Sequence, residues 1–440
     1  MLELFSSGLM TLWLEMAGVK PANLHASEML AWQGVPLFVL PTDSDSIAET
    51  QVQQYLRFLS AKGMATASQG IWMQSGPALL TNHQGTVPRS AASLTKIATT
   101  LAALETWGPA HRFETLISAT GPVNNGVLQG DLVITGGGDP FFVWEEALAL
   151  GNSLNKMGIR RVTGNLLISG DFYMNYTWDA RAAGEYLKQA LNKATLPKLY
   201  FSLPKSVPLP NVAIAGGVQV AGSDSLLPYP NPKQILLLRH QSLTLTQILK
   251  EMNIYSNNEM AEMLGRALGG APMVSQIAAQ SANFPQSEIQ LVNGSGLGVE
   301  NKISPRAVCA MLMRIQHYLQ PHHLTIADLF PVSGRDRRGT LETRHIPTGT
   351  AIKTGTLNTV SALAGVMPTR DRGLVWFAII NGGSDVVELR AQQDNLLQSL
   401  LARWGVSSAP PLAIAPTTGT VDPSKLLGDA SRNQPSPLVN

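Results

Sequence analysis

Pro88-Arg-Ser-Ala-Ala-Ser93-Leu-Thr-Lys96-Ile-Ala-Thr-Thr-Leu-Ala-Ala-Leu104 places a serine three residues before a lysine, at the head of an Ala- and Leu-rich run. Helical spacing puts Ser93 and Lys96 on one face, a turn apart. An ammonium held against a hydroxyl and withdrawn from water loses its proton more readily. It then serves as a base that activates the serine. The run is predicted to stay helical to about Thr106, where Gly108-Pro109 ends it.

The pair alone proves little. Ser153-Leu-Asn-Lys156 and Ser202-Leu-Pro-Lys205 repeat the spacing. Pro204 interrupts the second, and the first falls at the end of a predicted helix. Only Ser93 opens a long helix, where the N-terminal dipole favours an oxyanion. Ser-x-Asn also recurs, at Ser153, Ser256, Ser281 and Ser431. Lys353-Thr-Gly-Thr356 occurs once, on a predicted strand. Order adds the weight: Ser93-x-x-Lys96, Ser256-x-Asn258 and Lys353-Thr354-Gly355-Thr356 follow the sequence of motifs in penicillin-binding proteins and class A β-lactamases. In that scheme Ser93 attacks an amide carbonyl and Lys96 takes its proton. Ser256 relays the proton to the leaving amine, and Asn258 holds the substrate amide. Lys353, Thr354 and Thr356 receive a carboxylate. Gly355 lets a substrate strand approach the sheet edge. The N–H groups of Ser93 and Thr356 form an oxyanion hole.

Bulk composition removes other classes. Thirty-two Lys+Arg against 30 Asp+Glu give +2, with no basic run, so nucleic acid is not an expected partner. A single cysteine, Cys309, lies in an apolar helical pattern and reads as a buried, inert thiol. It excludes an internal disulfide and any cysteine-based metal site. The eight histidines form no HExxH, and neither metal nor cofactor is expected. Gly136-Gly-Gly-Asp-Pro140 lacks a following Lys-Ser/Thr and reads as a turn, not a phosphate loop. No stretch reaches the ~20 apolar residues of a membrane span.

Along the chain, residues 1–26 form an apolar N-terminal segment. Glu3 and Glu15 bracket its core and no Lys or Arg precedes it. It reads as a helix, or as a degenerate signal or peripheral anchor. Ser46-Ile-Ala-Glu49 fits a capping box for a helix over 47–61. Strands follow at 70–75 and 78–81. Gly130-Asp-Leu and Gly164-Asn-Leu begin two similar strands around a helix at 143–156, a βαβ-like unit. Prolines from 204 to 232 mark extended connections, and the aromatics Tyr173, Tyr176, Trp178 and Tyr186 read mainly as packing. Helices are predicted at 243–252, 258–268, 304–319 and 386–403, and an antiparallel meander at 351–357, 361–367 and 373–381. Residues 406–440, rich in Pro, Ser and Thr, read as a disordered tail.

At this point the chain resembles the penicillin-binding protein 4 type of D-alanyl-D-alanine carboxypeptidase/endopeptidase, peptidase family S13. The resemblance covers about 65–400 and runs through Gly136-Gly-Gly-Asp-Pro140, Asn293-Gly-Ser-Gly-Leu297, Ser304-Pro305, Pro331-Val-Ser-Gly334, Gly339-Thr-Leu341 and Lys353-Thr-Gly-Thr-Leu357. It implies an α/β (α+β) transpeptidase-like catalytic domain at 27–118 and 233–405, with an antiparallel sheet flanked by helices. A smaller inserted domain takes 119–232. The implied activity is cleavage of peptidoglycan stem peptides through a Ser93 acyl-enzyme, with β-lactams as inhibitors and the periplasm as location. The chain departs from the family in three ways. Ser93 and Ser256 are 163 residues apart, a short insertion; Asn293 replaces the usual Asp; and 172–200 differ from the usual segment. A β-lactamase on the same fold is the second enzymatic reading. It is disfavoured by the larger insertion and by the lack of a Glu placed to activate a deacylating water.

Overall fold

The apolar runs at 351–382 form strands because each alternates a core-facing residue with a second buried set. In this computed structural model, Ala351–Leu357, Val360–Thr369 and Gly373–Gly382 pair antiparallel in that order. Gln69–Ser75 joins the far side of Gly373–Gly382, and Ala78–His83 closes the five-stranded sheet. The structure describes residues 45–197, 208–221, 234–407, 411–416 and 422–436. The N-terminal segment 1–26, Ser202-Lys205 and much of the proline-rich 204–232 stretch lie outside them.

The chain divides into two units. The first runs to Leu101 and resumes over Ser275–Val292 and Gly296–Thr417. The second takes Ala102–Val274, Asn293–Ser295 and the chain from Thr418, so the inserted stretch expected at 119–232 lies within it.

In the first unit, Ile71, Met73, Ile352, Leu363, Met367, Val375, Phe377 and Ile379 share one face of the sheet. They cluster with Val52, Tyr55, Leu56 and Leu59 of helix Ser46–Ala61 and Leu389, Leu396, Leu397 and Leu400 of helix Val386–Trp404. Each such side chain contributes about 1.5–3 kcal/mol when fully buried. The expected capping box of Ser46 and Glu49 does not form, and the N-cap lies one residue earlier. Asp45 is the N-cap and accepts from Ala48 N at 2.8 Å, while Glu49 accepts from Gln53 and Thr81. A carboxylate at Asp45 satisfies the orphan N–H that Ser46 was expected to meet. Helix Pro305–Leu319 begins as expected, with Ser304 as cap and Pro305 in its first turn. Its Cys309 is fully buried, and burial pushes the thiol pKa well up.

The second unit holds a six-stranded mixed sheet. Its order is Val218–Val220, Leu166–Asp171, Leu132–Gly137, Glu114–Ala119, Ile235–Gln241 and Asn433–Pro435, the first three mutually parallel. The predicted βαβ unit is Leu132–Gly137, helix Trp144–Lys156 and Leu166–Asp171. Its repeat has a physical basis. Asp131 Oδ1 accepts from Asn165 N at 2.7 Å, and Asn165 Oδ1 accepts from Gly217 N at 3.1 Å. A Cβ on Gly164 would stand 2.2 Å from Asp131 Oδ1, and one on Gly216 2.4 Å from Asn165 Oδ1. Each polar side chain fills the space left by the glycine of the next level. Gly216-Gly217-Val218 is therefore a third level, which lacks the Asp or Asn that made the first two recognisable.

The disordered-tail expectation is corrected at 422–436. Asn433–Pro435 is the sixth strand, paired with Ile235–Gln241. Polar groups with few apolar neighbours in sequence hid it, because it is anchored by buried charge. Arg432 donates to Glu146, to Gln241 O at 3.1 Å and to Leu426 O at 2.9 Å. His240 Nδ1 lies 2.7 Å from Asn433 Oδ1, and Asn433 Nδ2 donates to Ser153 Oγ at 3.1 Å. Among the aromatics read as packing, only Tyr173 is buried; Tyr176, which stacks on Phe141, Tyr186, which meets Trp144, and Trp178 are all exposed.

Removing one partner from a buried ion pair leaves the other charge uncompensated. Arg432→Ala is expected to cost about 3–5 kcal/mol in urea unfolding and to expose 422–436 to proteases. A loss below about 1 kcal/mol, within the range of an ordinary surface pair, would show that Glu146 does not anchor the strand.

Candidate active site

Three elements meet around Ser93 within the first unit. Ala92–Leu94 is a single 3-10 turn, and the α-helix Thr95–Trp107 follows it. Ser93 thus stands just before the α-helix rather than in its first turn. The end at Gly108, with φ +78°, is as expected. Lys96 is fully buried and its Nζ lies 3.0 Å from Ser93 Oγ.

Lys353 is also fully buried. Its Nζ donates to Thr354 O at 2.7 Å. Burial first, and then the charge of Lys96, push the Lys353 pKa well down. Two ammonium groups in one dry site oppose each other, so a neutral amine is available there. Thr354 is buried and Thr356 exposed on the same strand.

The turn that carries Ser93 is strained and held. Ala92 has φ +46°, where a Cβ is costly. Ala91 N donates to Asn301 O at 2.9 Å, and Leu94 N to Ala91 O at 3.0 Å. A Cβ on Gly296 would sit 1.9 Å from Ala92 O. One on Gly355 would meet Ala91 O and Ser93 N, both at 3.0 Å. Two glycines therefore press backbone onto the serine turn from separate parts of the chain. Gly355 was expected to admit a substrate strand; here its missing side chain also admits Ser93 N. Gly296 lies in Asn293-Gly-Ser-Gly-Leu297, where nothing local marks Ala92 as its neighbour.

Ser256 and Asn258 lie in the second unit. Helix Leu245–Tyr255 runs three residues past its predicted end, and Ser256 caps it in the left-handed region at φ 54°. Asn257 caps the next helix, Asn258–Ala267, accepting from Met260 N at 2.9 Å. Asn258 opens that helix. Four residues on, Glu262 accepts from Gly294 N at 3.2 Å and Ser295 N at 3.0 Å. That contact was illegible in sequence, since nothing near Glu262 marks a distant loop as its partner.

The competing Ser-Lys pair has a structural use. Ser153 Oγ donates to Ala149 O at 2.9 Å and accepts from Asn433. In the charged turn 335–338, Asp336 accepts from Val332 N at 2.8 Å and closes its own loop. Among the described residues no group of three or more His, Cys, Asp or Glu could hold a metal ion. No helix among them is long and apolar enough to cross a membrane.

Solved structures share this architecture. A penicillin G-acylated predatory endopeptidase from Bdellovibrio bacteriovorus, in complex with an immunity protein, superposes with a TM-score of 0.69 at 22% identity. That match covers 83% of this chain and 99% of that one. Penicillin-binding protein 4 from Haemophilus influenzae gives 0.61 at 18% identity, over 80% and 99%. The fold is that of the penicillin-binding enzymes. Residues 59–187 and 213–403 match the D-Ala-D-Ala carboxypeptidase 3 (S13) family, and the chain belongs to that family of serine peptidases. It is also 24% identical over 406 residues to the D-alanyl-D-alanine carboxypeptidase DacB of Haemophilus influenzae, covering 70% of this chain and 83% of that protein.

Ala92→Gly is expected to stabilise the protein by about 0.5–1 kcal/mol in urea unfolding, by relieving a left-handed alanine. Gly296→Ala is expected to slow acylation of Ser93 at least about 100-fold, because small displacements of a nucleophile are costly. Normal acylation of folded Gly296→Ala would show that the turn does not need its glycine support.

Proposed function

We propose that Ser93 is the nucleophile of a D-Ala-D-Ala peptidase that acts on peptidoglycan stem peptides through an acyl-enzyme. The observation that carries this reading is the 3.0 Å approach of buried Lys96 Nζ to Ser93 Oγ, beside a second buried lysine. Neutral Lys96 takes the hydroxyl proton as Oγ attacks the carbonyl carbon. The new oxyanion is received by the N–H groups of Ser93 and Thr356. Ser256 passes the proton to the amine of the departing D-residue, and Asn258 holds the acyl-side amide. The roles of Ser256 and Asn258 rest on motif order and family membership. Water then attacks the ester and frees Ser93, with Lys96 again as base.

Thr354, Thr356 and Lys353 receive the carboxylate of the leaving residue, and Gly355 keeps the strand edge open. β-Lactams imitate this amide, and the ring-opened acyl group is expected to persist on Ser93. The penicillin-acylated relative and a β-lactam complex of the Haemophilus protein support that expectation. Activity on stem peptides implies the periplasm as location, with at most peripheral membrane contact. A β-lactamase on this scaffold would instead turn penicillin over quickly.

Incubation with labelled penicillin and with an N-acyl D-Ala-D-Ala peptide separates these readings. Wild type is expected to hold the label and release D-Ala. Ser93→Ala should do neither, and Lys96→Ala should acylate at least about 1,000-fold more slowly, in line with loss of a general base. Rapid hydrolysis of penicillin would favour the β-lactamase, and labelling of Ser93→Ala would place the nucleophile elsewhere.

A further inference from the structure

Helix Val386–Trp404 packs Leu389, Leu396, Leu397 and Leu400 into the first unit's core. One residue beyond Leu389, Arg390 is half-buried at the edge of that packing. Its Nη2 donates to Thr356 Oγ1 at 2.6 Å. Among the described residues this is its hydrogen-bonded partner. The nearby Asp394 is already engaged: Arg344 donates to both its oxygens, and His345 N donates to Oδ2 at 2.8 Å. Arg344 is also held by Gln393 at 3.1 Å. Asp394 acts on Arg390 through its charge, while its oxygens are hydrogen-bonded to Arg344 and His345.

A hydroxyl has one proton to donate and lone pairs to accept. A guanidinium that occupies the oxygen from one side leaves the O–H proton to be donated outward. Thr356 is exposed, so that proton faces solvent or a ligand. A donating hydroxyl backed by a planar cation is suited to a carboxylate, and charge-assisted bonds of this kind are the strong ones.

We infer that Arg390, acting with Thr356, is a specificity determinant that selects a free α-carboxylate on the leaving residue of the substrate. The assignment rests on the proposed peptidase reading, with Lys353-Thr354-Gly355-Thr356 as carboxylate-binding strand. It adds a residue from a helix remote in sequence from all three motifs. Arg390 reads the charge directly and holds the Thr356 rotamer. Lys353, bonded to Thr354 O and buried beside Lys96, completes that strand from the Ser93 side.

The test compares kcat/KM for an N-acyl D-Ala-D-Ala peptide and for its C-terminal amide, in wild type, Arg390→Ala and Arg390→Lys. Arg390→Ala is expected to reduce the acid-to-amide preference by about 10- to 100-fold, the range of a lost charge-assisted contact. Arg390→Lys should recover part of it, mainly through KM. An unchanged preference, or equal loss on both substrates, would overturn the assignment and leave Arg390 as a brace for the strand. Labelling of wild-type Ser93 by penicillin, measured in the same preparations, reports separately on the underlying reading. Its absence would overturn both, whereas normal labelling with an unchanged preference removes Arg390 alone.

Discussion

The constraint on which the site depends is the burial of two lysines together. Lys96 and Lys353 are both inaccessible to water, and each ammonium makes the other's charge less favourable. A folded protein tolerates this only if one amine can be neutral and both are hydrogen-bonded. Ser93 Oγ partners Lys96, and Thr354 O partners Lys353. Burial and the neighbouring charge thus favour carrying one amine of the pair in its neutral form. The Ser153-x-x-Lys156 pair, whose lysine is exposed, has no such pressure. There the hydroxyl simply bonds back to Ala149 O.

Holding the lysines together requires the Lys353 strand to lie close to the serine turn. A close approach of two backbones needs positions without side chains. Gly355 supplies one on the strand and Gly296 another beneath Ala92. The left-handed Ala92 is the residual strain of this arrangement. The hydrophobic cluster under the sheet keeps the strand in place from the other side. It is reinforced by a buried polar network in which Asn381 accepts from Tyr55 and Gln393, and donates to Gln69. Replacing water for those polar groups demands a fixed geometry, so the strand has little freedom to slip.

How much of this could be read in advance follows from the range of each interaction. The meander at 351–382, the helices around Leu56, Cys309 and Leu397, and the Ser93–Lys96 pair are local patterns, and periodicity exposes them. The third level of the glycine repeat was hidden because Gly216-Gly217 accepts a neighbour's side chain and carries none of its own. The strand Asn433–Pro435 was hidden because its anchor is one arginine meeting a glutamate 286 residues earlier. Glu262 and Gly296 were hidden for the same reason: their partners are loops distant in sequence. Asp45 shows a smaller limit, where two adjacent residues could each cap one helix and sequence could not choose between them.

Helix Val386–Trp404 links these two kinds of information. Its apolar stripe was legible, and that stripe sets its rotation against the sheet. Once the rotation is set, the positions beside the stripe are no longer free. Gln393 must face the buried carbonyl of Ser361, and Arg390 must fall beside the open end of the Lys353 strand, against Thr356. A core-packing pattern thus delivers a cation to the rim of the site without any local motif to announce it. The same logic applies to Glu262, which helix Asn258–Ala267 carries one turn past Asn258 to meet the Gly294–Ser295 peptide groups. In both cases the hydrophobic face specifies the helix, and the helix then aims the polar residue. Chemistry of this second kind becomes visible only when the packing is known.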